Sequence, residues 1–133
     1  MSSTAEIPGV IQLRSRHSVG ATIDRLEALL KQRGVLVFAR IDFSGDAERA
    51  GLRLPPEQML IFGNPKAGTP LMLAEPAAGL DLPLKMHAWE APDGKVWVAY
   101  NDPQYLVQRY RLAADFAANL AAVVPLIEHA VAD

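Results

Sequence analysis

Apolar and polar side chains alternate between Val10 and Arg16, with Ile11 and Leu13 set against Gln12 and Arg14, the period-two signature of a half-buried strand. An outer strand is expected there. Helical spacing follows at Val19, Ile23, Leu26 and Leu30, with Ser18 placed as N-cap and Gly34 as the left-handed residue that ends the helix. The run Val35 to Asp42 is β-branched and apolar enough for a central strand, and SGDAERAGL after it suits a short helix ending near Gly51. Leu54-Pro55-Pro56 breaks the chain before another apolar strand, Glu57 to Phe62. Gly63-Asn64-Pro65 is expected to turn that strand, and Thr69-Pro70 has the form of an N-cap and first position of a short helix, Leu71 to Glu75.

Leu84 to Glu90 and Lys95 to Tyr100 read as strands joined by Pro92-Asp93-Gly94, which fits a short hairpin loop with glycine in the left-handed position. That loop predicts a register. Trp89 should lie opposite Trp97 and Ala88 opposite Val98, so that Leu84, Met86, Ala88, Val96, Val98 and Tyr100 share a core face. Lys85, His87, Trp89, Lys95 and Trp97 share the other. Asp102-Pro103 caps a short helical segment through Arg111, and Phe116, Leu120, Val123, Ile127 and Ala130 mark a long terminal amphipathic helix that Pro125 should kink or split. The element order favours an α+β fold of two layers, an antiparallel sheet with helices packed on one face. Residues 1–133 are expected to form a single domain, with 1–9 as a flexible N-terminus.

Composition narrows the function classes. Half of the 133 residues are hydrophobic and 21% are charged, a globular balance, and the net charge of -2 argues against a dedicated nucleic-acid binder. Without cysteine there is no disulfide, thiolate metal site or Cys nucleophile. No secretory signal is read at the N-terminus and no apolar stretch is expected to reach the roughly 20 residues of a membrane span, which gives a cytoplasmic protein with no membrane partner as the expectation.

The segments IFGNPKAGTPLM, DLPLKM and DGKVWVAYNDP, taken in order, resemble the domain of unknown function 302 family over roughly residues 18 to 130. The resemblance implies a TATA-binding-protein-like fold of β-α-β4-α order, commonly packed as a homodimer, and implies no activity. Where many members read Ile-Asp-His after the second strand, this chain reads Ile41-Asp42-Phe43, so a histidine-dependent site at that position is not carried over.

The loop FGNPKAGTP has exposed-backbone glycines and Lys66, yet its spacing is not that of a P-loop, whose lysine follows the second glycine directly. An anion could still sit at a helix start at Thr69-Pro70. His17, His87 and His129 lie far apart and lack metal-helix spacing, so no metal site is expected and no cofactor is named. Ser18 and Ser44 have the form of caps, and no serine lies in a nucleophile-elbow pattern, so whether the chain is an enzyme stays open. Three readings compete. The first is a dimeric small-molecule binding or sensing module, its site formed by Asp42, Gly63, Asn64, Lys66, Thr69, Tyr100, Asn101 and Asp102. The second is an enzyme acting on a small anionic substrate through Lys66, with Asp42 or Asp102 as base. The third is a structural dimer whose interface is the face bearing Lys85, His87, Trp89 and Trp97.

Overall fold

Alternation of apolar side chains along five segments allows each to bury one face, and the five pair into one antiparallel sheet of order β1-β5-β4-β3-β2. The strands are β1 (Val10–Ser15), β2 (Leu36–Asp42), β3 (Glu57–Gly63), β4 (Leu84–Glu90) and β5 (Val96–Asn101). The helices are α1 (Val19–Gln32), α2 (Phe43–Arg49), α3 (Pro65–Ala74), α4 (Pro103–Arg109), α5 (Ala117–Ala121) and α6 (Val124–Val131), with 3-10 turns at Pro76–Asp81 and Ala114–Phe116. The computed structural model describes residues 6–133, so the first part of the expected flexible N-terminus, residues 1–5, lies outside the described residues. Residues 7–9 are tied to the fold: Val10 N donates to Ile7 O at 3.1 Å and Asp102 N donates to Gly9 O at 2.9 Å.

Helices pack on one side of the sheet, giving the α+β architecture. Ile23, Leu26 and Leu30 of α1 and Ile127 of α6 bury against Leu60, Phe62, Met86 and Val98 from the central strands. Ser18 caps α1 by accepting from Ala21 N at 3.1 Å, and Gly34 follows its end at φ +72. The hairpin register is as expected, with Trp89 opposite Trp97, Ala88 opposite Val98, and Gly94 left-handed at φ +83.

The structure corrects several expectations. β2 is an edge strand, not a central one. Its apolar run does not bury on both faces, for Leu36 and Phe38 are exposed, and a register shift between Val37 and Ala39 throws Phe38 outward. Ser44 does not cap α2; Asp42 does, accepting from Gly45 N at 3.0 Å, while the Ser44 hydroxyl donates to the Asp42 carboxylate at 2.6 Å. The terminal helix divides into α5 and α6 with Pro125 in the first turn of the latter, as its proline requires. The stretch Ala114–Val131 is, by length and composition, apolar enough to cross a membrane, contrary to expectation. Here it is broken between α5 and α6, and Leu120, Leu126, Ile127 and Ala130 are buried within the domain.

The second face of the sheet is lined by cross-strand rows that the registers define. One row runs Ile41, Met59, His87, Ala99 and Gln12; the next runs Glu57, Trp89, Trp97 and Arg14. Most of these side chains are only partly buried.

Candidate functional site

The motif segment is a helix rather than a turn. β3 ends at Gly63, Asn64 Oδ1 accepts from Lys66 N at 3.0 Å as the N-cap, and Pro65 opens α3 with the φ that a first helical position wants. Thr69 and Pro70 therefore lie inside the helix. The expected helix start at Thr69-Pro70 does not exist, and the anion site built on it loses its free N–H groups.

What the early helix creates is a cavity of about 250 Å³. One wall is Gly63, Asn64, Pro65, Ala67, Gly68, Thr69 and Met72; the others are Phe38 of β2, Leu82 to Leu84 at the start of β4, and Asn119 and Leu120 of α5. No lining side chain is charged. Asn119 Nδ2 donates to Ala67 O at 3.1 Å, tying α5 to α3 across the cavity. Gly63 permits a close approach, since a Cβ there would lie 3.3 Å from the Phe38 ring and 3.5 Å from Pro83 Cβ. Lys66 is exposed between two lining residues but does not itself line the space.

Of the residues singled out in the sequence, Gly63, Asn64 and Thr69 thus meet at one cavity. Asp42 does not join them. It pairs with Gln58 at the opposite end of β3 from Gly63, about 17 Å away at the usual strand rise. Its carboxylate serves α2, and the Ser44 hydroxyl first and the Gly45 N–H second hold its pKa below the ordinary 3.8. Tyr100 points into the core, where burial first, and then Glu128 and Asp102, raise its phenol pKa. Asn101 faces the other side of the sheet, and Asp102 caps α4 by accepting from Gln104 N at 3.0 Å. An acid-base partnership of Lys66 with Asp42 is therefore ruled out by distance.

Two arrangements were not legible beforehand. Asp81 accepts from Arg109 Nη1 at 2.8 Å and from the Tyr110 hydroxyl at 2.5 Å, anchoring the 3-10 turn to α4. On the second face, His87 Nε2 lies 2.5 Å from Glu57 Oε2, with the Phe43 ring 5.5 Å and the Trp89 ring 6.0 Å from the imidazole. A carboxylate-held imidazole is an arrangement that suits general-base work, and its other nitrogen, Nδ1, is shielded from solvent without a protein hydrogen-bond partner. Lys85, His87, Ala99 and Asn101 border a shallower hollow of about 160 Å³ on that face. Phe43, at the position where a histidine was considered, thus packs beside His87.

Among known proteins, the chain is 46% identical over 116 residues to a fluoride-specific ion channel, FluC 1, of Brucella suis, covering 87% of this chain and 46% of that protein. FluC 2 of Brucella melitensis is likewise 46% identical, with 87% of this chain and 43% of the relative covered. The chain spans less than half the length of these curated relatives. A crystal structure of an uncharacterized conserved DUF302 protein from Bacillus stearothermophilus superposes with a TM-score of 0.76 at 20% identity, covering 94% of this chain and 97% of that one, and so shares the fold. The sequence model of the Domain of unknown function DUF302 matches residues 11–127, and the chain belongs to that family.

Proposed function

We propose that the chain is a homodimeric binding module for a small, predominantly apolar molecule, held in the cavity between α3, β4 and α5. The observation that carries this reading is the uncharged lining of a roughly 250 Å³ space walled by Gly63 to Met72. Ligand sites are mostly apolar concavities with a few polar groups, and Asn64, Thr69 and Asn119 are the polar groups here. The sequence-based picture of an anionic ligand gives way to an apolar one, because Lys66 lies outside the lining. Thermal unfolding with octanol as probe tests it. A ligand at about 100 times its Kd adds about 2.7 kcal/mol to the folded state, enough to raise Tm visibly. Octanol should raise Tm of the native protein and not of Gly68→Leu, whose side chain fills the space; equal shifts in both would remove the proposal.

Dimerisation rests on the second face of the sheet. Ile41, Met59, Trp89, Trp97 and Ala99 supply apolar side chains around the His87–Glu57 pair, with tryptophans of the type enriched at interfaces. Trp97→Asp should shift the protein to monomer on sizing chromatography, and an unchanged elution volume contradicts burial of that face between subunits. In the Brucella proteins named as fluoride-specific ion channels more than half of the length lies outside the matched segment. A sheet with helices on one side offers no ion path, which supports reading this unit as an appended module.

A further inference from the structure

We propose that Asn119 makes the cavity selective for an apolar molecule whose uncharged head donates a hydrogen bond, a primary alcohol or primary amide, a selection that rests on the cavity being a binding site. The partner that Asn119 reaches fixes its orientation. Ala67 O can only accept, so the end of the Asn119 amide that lies 3.1 Å from it is the nitrogen, and the two ends are not interchangeable. The carbonyl end, Oδ1, has no hydrogen-bond partner among the described residues and is not sealed from a water-sized molecule. This side chain therefore offers the cavity an acceptor. Size bounds the rest of the ligand: an apolar cavity of about 150 Å³ holds benzene, so a space of about 250 Å³ takes, in proportion, about ten non-hydrogen atoms.

The other polar side chains on the lining are less decisive. Asn64 Oδ1 is already taken by Lys66 N, and both Asn64 and Thr69 are exposed, so water serves whatever a ligand leaves unpaired there. Asn119 is half-buried and stands next to the buried Leu120. A ligand that displaces water from its Oδ1 must return a donor, or the carbonyl is left unpaired against an apolar surface. A hydroxyl or an amide N–H returns one; a ketone or an ester cannot. A carboxylate fares worse, since it would bring its charge against a carbonyl oxygen in a space where no lining residue is a cation. The charges nearest along the chain do not alter this, because Lys66, Glu75, Asp81 and Asp115 all lie outside the lining. As a mere tie between α5 and α3, Asn119 would contribute to stability and leave ligand preference unmoved.

The test is a thermal-shift series on the full chain at neutral pH with 1-octanol, octanamide, 2-octanone and octanoate, the dissociation constants taken from the dependence of Tm on ligand concentration. Each ligand is repeated with Gly68→Leu, so that only shifts arising in the cavity are counted. Octanol and octanamide should bind about tenfold more tightly than 2-octanone, the loss expected when one acceptor is left without its donor, and octanoate should give no shift. Asn119→Leu keeps the volume of the side chain and removes the acceptor, so it should bring 2-octanone level with octanol. Far-ultraviolet circular dichroism checks that this variant folds, and where it does not, the four ligands on the native protein decide alone. Equal affinity for octanol and 2-octanone, octanoate binding as tightly as octanol, or an octanol preference that survives in folded Asn119→Leu would overturn the selection and leave the cavity standing as a binding site. No shift with any of the four ligands removes the binding site and the selection together.

Discussion

Gly68→Ala should make the protein more stable and a weaker binder. Gly68 occupies the fourth position of α3 with ordinary helical backbone, so the freedom of glycine serves no turn there. Replacing it by alanine in a helix is worth up to about 1 kcal/mol through propensity alone. The added Cβ would meet Leu82 Cδ1 at 3.9 Å and Met72 Cε at 4.0 Å, ordinary van der Waals contact on the cavity wall. Partial burial of that methyl adds a few tenths more, against about 0.8 kcal/mol for a fully buried one. A net gain of about 1 kcal/mol corresponds to a Tm increase of about 3–6 °C for a domain of this size. The assay is urea and thermal unfolding followed by tryptophan fluorescence, repeated with octanol. The variant should start more stable and gain less from octanol, because the methyl occupies part of the space. A lower Tm would mean that the wall has no room for the methyl. An undiminished octanol shift would mean that the ligand sits elsewhere. Gly63→Ala is the contrast, since its Cβ at 3.3 Å from the Phe38 ring forces that ring to move and should yield no stabilisation.

Leu26→Ala removes a fully buried side chain of α1 from the main core and should cost about 2–5 kcal/mol in denaturant unfolding; a change under 1 would contradict its place there. The Asp42 pKa lies below 3.8 in the folded chain, so its contribution is present above that pH and is lost as pH falls through the folded value. Asp42→Asn should therefore flatten the acid limb of stability, and unchanged acid unfolding would refute the assignment. Tyr100 has a phenol pKa raised above 10.0, so its contribution is complete below pH 10.0 and is lost as pH rises through the folded value. Tyrosinate absorbance should show it ionising late, and Tyr100→Phe should remove the late component rather than an early one.

Local chemistry was enough wherever a residue's neighbours in sequence were also its partners in space. Pro92-Asp93-Gly94 determined the hairpin because Gly94 supplies the left-handed turn residue, and the cross-strand pairs Trp89–Trp97 and Ala88–Val98 follow by counting outward. Ser18 and Gly34 bounded α1 for the same reason. The position of β2 was not legible: Val37, Phe38 and Ile41 give it a central strand's composition, and only the sheet order and the shift beside Phe38 show it at the edge. Likewise, Glu57 meets His87 through the pairing of β3 with β4, thirty residues apart in the chain, and Asp81 meets Tyr110 through the docking of α4. The grouping of Asp42 with the motif failed on direction, since antiparallel β2 and β3 bring Leu36, not Asp42, beside Gly63.

The motif reads as a turn at Gly63-Asn64-Pro65 followed by a helix start at Thr69-Pro70, whereas in the structure Asn64-Pro65 is itself the capping side chain and first helical proline. The earlier start prevails even though it leaves Pro70 inside the helix without an N–H to donate to the Lys66 carbonyl. Lys66 is exposed, so water can take the place of that bond, while Leu71 is buried and holds the second half of the helix in the smaller core with Leu106 and Leu120. This choice makes the site. With the helix beginning at Asn64, Ala67 and Gly68 are presented by α3 toward Leu82 and α5, and their small side chains leave the space that larger ones would fill. Had the helix begun at Thr69, the same glycine would have been a turn residue and its lack of a side chain would have served the backbone. Placed within a regular helix, Gly68 lowers helix stability for no backbone reason, and the cavity is what its missing side chain provides.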